Sequence, residues 1–193
     1  MSVVYILLLF LTAAVVSDVR TRRIFNWITY PGILAGLLLN GLGDLALMAG
    51  WASPSWMQMW GVIGLGQAVT GFLACGLVMV ACYVFFRIGG GDVKLIAMMG
   101  AYLGPEDGII AMLWTFVLGA CVALSVLVWR VGPVRLLMHL GRRLMGWLRV
   151  GYWGALTPEE QKALEPTLFL APSAWLAVVI VHFRVVERLL GQP

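Results

Sequence analysis

Nine side chains in this 193-residue chain carry a carboxylate, and two of them, Asp18 and Asp92, stand at the edges of long apolar stretches. Acids at the edge of a bilayer core are expensive to bury, face a protein interior or a water cavity, and are functional by default. Amide hydrolysis by two carboxylates needs one ionised group to take a proton from water and one protonated group to donate to the carbonyl oxygen. A close pair supplies both forms, because like charges a few Å apart share a proton and titrate as one unit. Which of the two would act as base is not readable from sequence.

The surroundings of each acid are distinctive. Asp92 follows Gly89-Gly90-Gly91 and precedes Val93-Lys94-Leu95, while Asp18 is followed by Arg20, Arg22, Arg23 and Asn26. Three successive glycines remove every Cβ beside Asp92, which permits unusual dihedrals and close approach of another backbone. Lys94 has two readings: an anchor at the headgroup level, or a support for the electrostatics or loop of the pair. Asn26 either caps the second helix or steadies the loop that carries Asp18.

These motifs resemble the type IV prepilin peptidases, intramembrane aspartic proteases of the Gly-x-Gly-Asp class. The resemblance rests on Asp18 with its arginine-rich sequel and Ile24-Phe25-Asn26, on the run from Gly89 to Leu95, and on Pro172 at the start of the last apolar segment. The family usually has Ile-Pro-Asn where this chain has Ile24-Phe25-Asn26. The resemblance implies a catalytic pair Asp18 and Asp92, with Gly89, Gly91, Lys94 and Asn26 supporting it and no cofactor. It implies removal of a short basic leader from prepilin or pseudopilin precursors, the cut falling after a glycine just before the substrate's apolar segment. Many members carry an added cytosolic domain with two C-x-x-C pairs and an N-methyltransferase activity; nothing in this chain matches it, which implies the short form.

Around these residues the chain is built for lipid. Hydrophobic residues make up 62% and charged ones 11% of the sequence, with a mean hydropathy of +0.95, more apolar surface than a soluble domain of this length hides. Cys75, Cys82 and Cys121 lie in apolar segments without C-x-x-C spacing, so neither a disulfide framework nor a zinc site is expected. His139 and His182 are isolated, and no metal is expected at them. Ser17 has no Lys or His base in its segment, which disfavours serine chemistry.

A spanning helix takes about 20 apolar residues, and six segments approach that measure: Ser2–Ser17, Trp27–Leu47, Trp60–Phe86, Val93–Leu103, Gly108–Trp129 and Thr167–Phe183. The first is followed by Asp18 and arginines rather than a small-residue cleavage site, so it is expected to be a retained helix. The fourth is short enough to be a partial crossing or to begin inside the glycine run. The expected fold is an all-α polytopic membrane helix bundle of about six transmembrane helices in a single domain, residues 1–193. Gly32 and Gly36 form a G-x-x-x-G spacing that favours close helix contact, and Trp51, Trp56, Trp60 and Trp129 suit interfacial positions.

Placing the amino terminus outside puts eleven of the thirteen Lys and Arg in inner loops, with Asp44, Glu106 and Asp107 on the outer side. That asymmetry orients both acids toward the cytoplasm, and the resemblance implies a bacterial inner membrane. The long inner loop at about 130–166 is amphipathic: Leu137, Leu140, Leu144 and Leu148 share one helical face, and Arg135, His139, Arg142 and Arg149 the other. Such a helix lies on anionic headgroups, as a docking element or a simple tether. A second short helix is expected from Thr157, with Pro158 at its first position and Pro166 ending it.

Membrane lipids and a precursor polypeptide are thus the expected partners, with no nucleic acid and no indication of oligomeric state. The competing reading is a small proton-coupled membrane transporter or channel. Against it, the acids gather at one face rather than midway, and the halves of the chain show no clear repeat. A structural subunit would leave the paired acids without purpose.

Overall fold

The computed structural model describes residues 2–86, 88–132 and 170–184, and all regular structure among them is helical. Six helices follow in order: α1 (Ser2–Thr21), α2 (Asn26–Met48), α3 (Pro54–Trp60), α4 (Leu65–Phe86), α5 (Gly90–Val131) and α6 (Leu170–His182). Four stretches are long and apolar enough to cross a membrane: Val3–Thr21, Asn26–Met48, Pro54–Phe86 and Gly90–Trp129. This is a helical, multi-pass membrane architecture. The chain divides into two units, one of residues 1–117 and 169–193, the other of 118–168. The first holds α1 to α4, the leading part of α5, and α6; the described part of the second is the trailing end of α5. The amphipathic segment and the short helix expected at Thr157 lie outside the described residues.

Several boundaries differ from those expected. Helix α1 does not stop at Ser17 but continues to Thr21, because the Arg22 amide still reaches the Asp18 carbonyl at 2.8 Å. Asp18 is therefore inside the last turn of α1 rather than beyond it. The segment expected to start at Trp60 is interrupted at Gly61 and Gly64, both with positive φ, and α4 begins at Leu65. Its first amide is held by the Asp44 carboxylate (Leu65 N to Oδ2, 2.7 Å), so Asp44, inside α2, caps α4 rather than decorating a loop. Helix α3 was not anticipated; Ser53 caps it by accepting from the Trp56 amide, with Pro54 at its start.

The fourth and fifth expected segments are one helical run that breaks at Gly104 (φ 82°, ψ −177°), followed by Pro105. Glycine takes that backbone geometry at no steric cost, and proline supplies no amide to the preceding turn. The run starts inside the glycine motif, at Gly90.

The leading half of α5 is the centre of the packing. Leu95, Ile96, Met98, Met99, Ala101 and Tyr102 are fully enclosed. Glycines allow this on two sides. On α2, Gly32 faces Met98 and Gly36 faces the Tyr102 ring, with no room for a Cβ at either, so the G-x-x-x-G stripe is a helix contact. On α4, Gly71 meets the backbone of Gly100 and Gly104. Lipid-dissolved helices associate through such close packing rather than through expulsion of water. Asn40 ties the seam, donating to the carbonyls of Gly36 (2.9 Å) and Ala101 (3.3 Å) while accepting from the Ile63 amide (2.9 Å). On α1, Val3, Leu7, Leu11 and Ala14 make the buried stripe, spaced by three and four residues as one helical face requires. Opposite stripes, including Leu9, Leu34 and Leu77, stay exposed. That apolar outer surface is suited to acyl chains.

Candidate active site

Three helix ends converge where the two acids lie. The last turn of α1 contributes Ser17 and Asp18, both buried, with Asp18 only 7% exposed. The connection that follows turns sharply. Arg22 takes a positive φ of 54°, and the Arg23 carbonyl accepts from the Ser17 hydroxyl at 2.6 Å and from the Thr21 hydroxyl at 3.3 Å. Ser17 thus holds the loop beside Asp18 in place, a positioning task its sequence neighbours did not suggest.

From the far end of the sequence, α6 presents its first turn to the same point. The Ala171 amide donates to Oδ2 of Asp18 at 3.3 Å. An amide in the first turn of a helix has no partner within that helix, and the positive end of the helix dipole favours a carboxylate there. Pro172, expected at the start of the last apolar segment, occupies this first turn, where its missing N–H removes no helical bond.

The third end is that of α5. Its start is set by the Gly89 carbonyl, which accepts from the Asp92 amide at 3.0 Å, and Asp92 falls in the first turn. Its carboxylate folds over Gly89, where a Cβ would stand 3.1 Å from Oδ2. The glycine run does not use unusual dihedrals: none of Gly89, Gly90 and Gly91 is among the residues with positive φ. Its purpose is proximity. A Cβ on Gly91 would sit 3.1 Å from the Cβ and 3.4 Å from the carbonyl oxygen of Ile24, so the bare backbone lets the start of α5 press against the α1–α2 connection. The result places the carboxylates of Asp18 and Asp92 within direct electrostatic reach of each other.

Lys94 completes the junction. Its ammonium donates to Oδ1 of Asn26 at 2.7 Å and lies 4.7 Å from the centre of the Tyr30 ring, a cation–π distance. The N-cap position of α2 is Phe25, without a side-chain cap bond, so Asn26 is not the cap; its side chain contacts α5 instead. Tyr30 escaped notice in the sequence, although it stands four residues after Asn26 and so on the same helical face. The Ala171 amide could not have been found that way, since a backbone donor carries no residue signature.

The remaining polar candidates lie elsewhere. Cys75 is buried in α4, Cys82 is half-buried and Cys121 exposed, and among the described residues no three His, Cys, Asp or Glu side chains group as metal ligands would. His182 ends α6 at the opposite terminus from Ala171.

The profile of the type IV leader peptidase family matches residues 5–124, a span that contains Asp18, Asn26, the glycine run, Asp92 and Lys94. A prepilin leader peptidase/N-methyltransferase of Aeromonas hydrophila is 29% identical over 127 residues, covering 62% of this chain and 38% of that protein. Its counterpart in Aeromonas salmonicida (strain A449) has the same identity and coverage. The chain thus matches well under half the length of these relatives. No solved structure matches it. With its matched span extending over more than half of the sequence and over two of the three helix ends of the junction, those of α1 and α5, the chain belongs to the type IV leader peptidase family.

Proposed function

We propose that this protein is an aspartic endopeptidase that removes the leader from prepilin or pseudopilin precursors, with Asp18 and Asp92 as the catalytic pair. The carrying observation is the convergence of helix ends on Asp18 and Asp92, with the Ala171 amide on the Asp18 carboxylate and the start of α5 at Gly91 against Ile24 of the connection after Asp18. In the reaction, the ionised carboxylate takes a proton from water as its oxygen attacks the scissile carbonyl carbon, and the protonated partner donates to the carbonyl oxygen. Proton return to the leaving nitrogen breaks the C–N bond. The pair exchanges roles over the cycle and ends as it began. Gly91 lets the start of α5 pack against Ile24 and Gly89 leaves room for the Asp92 carboxylate, and the Lys94–Asn26 contact holds the two acid-bearing segments together.

The relatives' names supply the substrate class: both are prepilin leader peptidases. The distribution of Lys and Arg supports an inner-membrane protein with its N-terminus outside and the acids at the cytoplasmic face, where a precursor's basic leader would be held. On this reading the segment at about 130–166 is a cytosolic amphipathic loop on the headgroups.

The test is cleavage of a co-expressed prepilin, read as a mobility shift, beside Asp18→Asn and Asp92→Asn forms shown to insert. Loss of the shift in both supports the assignment, and processing that survives either change refutes it.

A further inference from the structure

Below the acids, α1 and α6 do not close completely. A cleft of about 240 Å³ runs between them, lined by Thr12 and Val15 of α1 and by Pro172, Trp175 and Leu176 of α6. We infer that this α1–α6 cleft is the seat of the precursor's apolar helix, receiving the residues that directly follow the scissile bond. The inference deepens the peptidase reading and rests on it.

Both walls are continuous with the proposed catalytic junction. Thr12, Val15 and Asp18 recur every three residues and so form one stripe of α1. At 1.5 Å per residue, Val15 lies about 4.5 Å and Thr12 about 9 Å along the helix from Asp18. On the other wall, Pro172 adjoins Ala171, whose amide holds the Asp18 carboxylate, and Trp175 and Leu176 follow on the same face, one turn on. A chain whose peptide bond is held at Asp18 meets this cleft as its next few residues enter the membrane.

The chemistry of the lining matches such an occupant. The one polar group of Trp175, its indole N–H, is already engaged by Thr12 Oγ1 at 3.1 Å, and the Thr12 hydroxyl in turn donates to the Leu8 carbonyl at 2.7 Å. Carbon surface is therefore what a ligand would touch. That hydrogen bond also ties the two walls two turns from Asp18, so the cleft is preformed and little ordering accompanies binding. One other route from the acids is closed. The first turns of α5 beyond Lys94 are enclosed on every side from Leu95 to Tyr102, with α2 and α4 packed against their glycine contacts.

The test uses the full chain in detergent micelles, with a purified prepilin and with a truncated peptide that ends shortly after the leader junction. Leu176 is 47% exposed, so Leu176→Trp fills the cleft from its rim without disturbing the core. Leu77→Trp, on the exposed face of α4, serves as control. Leu176→Trp is expected to raise KM for the full precursor about tenfold with kcat within about twofold, the pattern of lost binding common to ground and transition states. The selectivity for full precursor over truncated peptide then falls by about the same factor, and Leu77→Trp leaves it alone. A benzophenone amino acid at 176, and not at 77, is expected to cross-link to the precursor's apolar segment. Cleavage by the unmodified chain with unaltered selectivity in Leu176→Trp, or cross-linking at 176 only to detergent under saturating precursor, would overturn the inference while leaving the peptidase reading standing. No cleavage of any prepilin by the unmodified chain would remove the two together.

Discussion

The Lys94 ammonium and the Asn26 side-chain oxygen meet at 2.7 Å across 68 residues of sequence, joining the start of α5 to the start of α2. Because α2 follows directly from the loop after Asp18 and α5 begins just before Asp92, this bond links the two acid-bearing segments. Tyr30 beneath the ammonium adds a second anchor.

Lys94→Ala is accordingly expected to lower prepilin turnover while leaving measurable activity, since neither acid is removed. Asn26→Ala should fall to a similar level and the double variant little further, with a coupling of about 1 kcal/mol, toward the lower part of the range for a partly exposed hydrogen bond. Independent, fully additive losses would show that the two side chains act separately. Wild-type rates in Lys94→Ala would refute the positioning role outright.

Removal of either carboxylate has a different signature. A positioned acid or base contributes about 10²–10⁴-fold, and groups that act as a unit are not additive. Asp18→Asn, Asp92→Asn and the double variant should therefore be nearly equal in residual activity. A double variant far slower than both singles would mean that the acids do not work as a pair.

At Gly91 the structure predicts a steric effect on activity. Gly91→Leu pushes a side chain into Ile24, which already stands 3.1 Å from the position of a Cβ. Displacement of Asp92 by about 1 Å is enough to reduce turnover by about 10²-fold. Gly66→Leu on α4, where nothing lies within 4 Å, is the comparison. Equal rates in the two variants, both inserted at wild-type levels, would remove the contact from the account.

Stability should respond to the α4–α5 seam. In Gly71→Ala the new methyl group meets the backbone of Gly100 and Gly104, which cannot rotate away as a side chain can, so a loss of about 1–3 kcal/mol is expected. Gly76→Ala places its methyl 3.5 Å from Ala97, ordinary contact, and should be close to neutral. Thermal unfolding in detergent distinguishes them, and equal midpoints would show that the seam tolerates separation.

Much of this protein was legible from residue types alone. Apolar runs of spanning length, the two acids that break the pattern, and Lys94 and the glycines beside Asp92 are local properties, and each appears in the structure as a helix, a helix end or a contact at one. The G-x-x-x-G spacing of α2 foretold a close approach, though not that Met98 and Tyr102 of α5 fill it. Boundaries were less legible: the break at Gly104 and the extension of α1 to Thr21 depend on which carbonyls still find amides, and apolar composition does not record that.

What only the tertiary structure decided is the junction itself. Sequence placed Asp18 and Asp92 on different segments at one membrane face without fixing the distance between them, and it gave no contact partner for Pro172 or Asn26. Their meeting depends on three contacts between distant parts of the chain: Ala171 N–H on Asp18, Gly91 against Ile24, and Lys94 on Asn26. One uses a backbone amide and another the absence of a side chain, and neither leaves a mark in a pattern of residue types. Composition and periodicity determined that the chain makes membrane helices with acids at their ends; close packing of glycines and the free amides of helix starts decided which ends face each other.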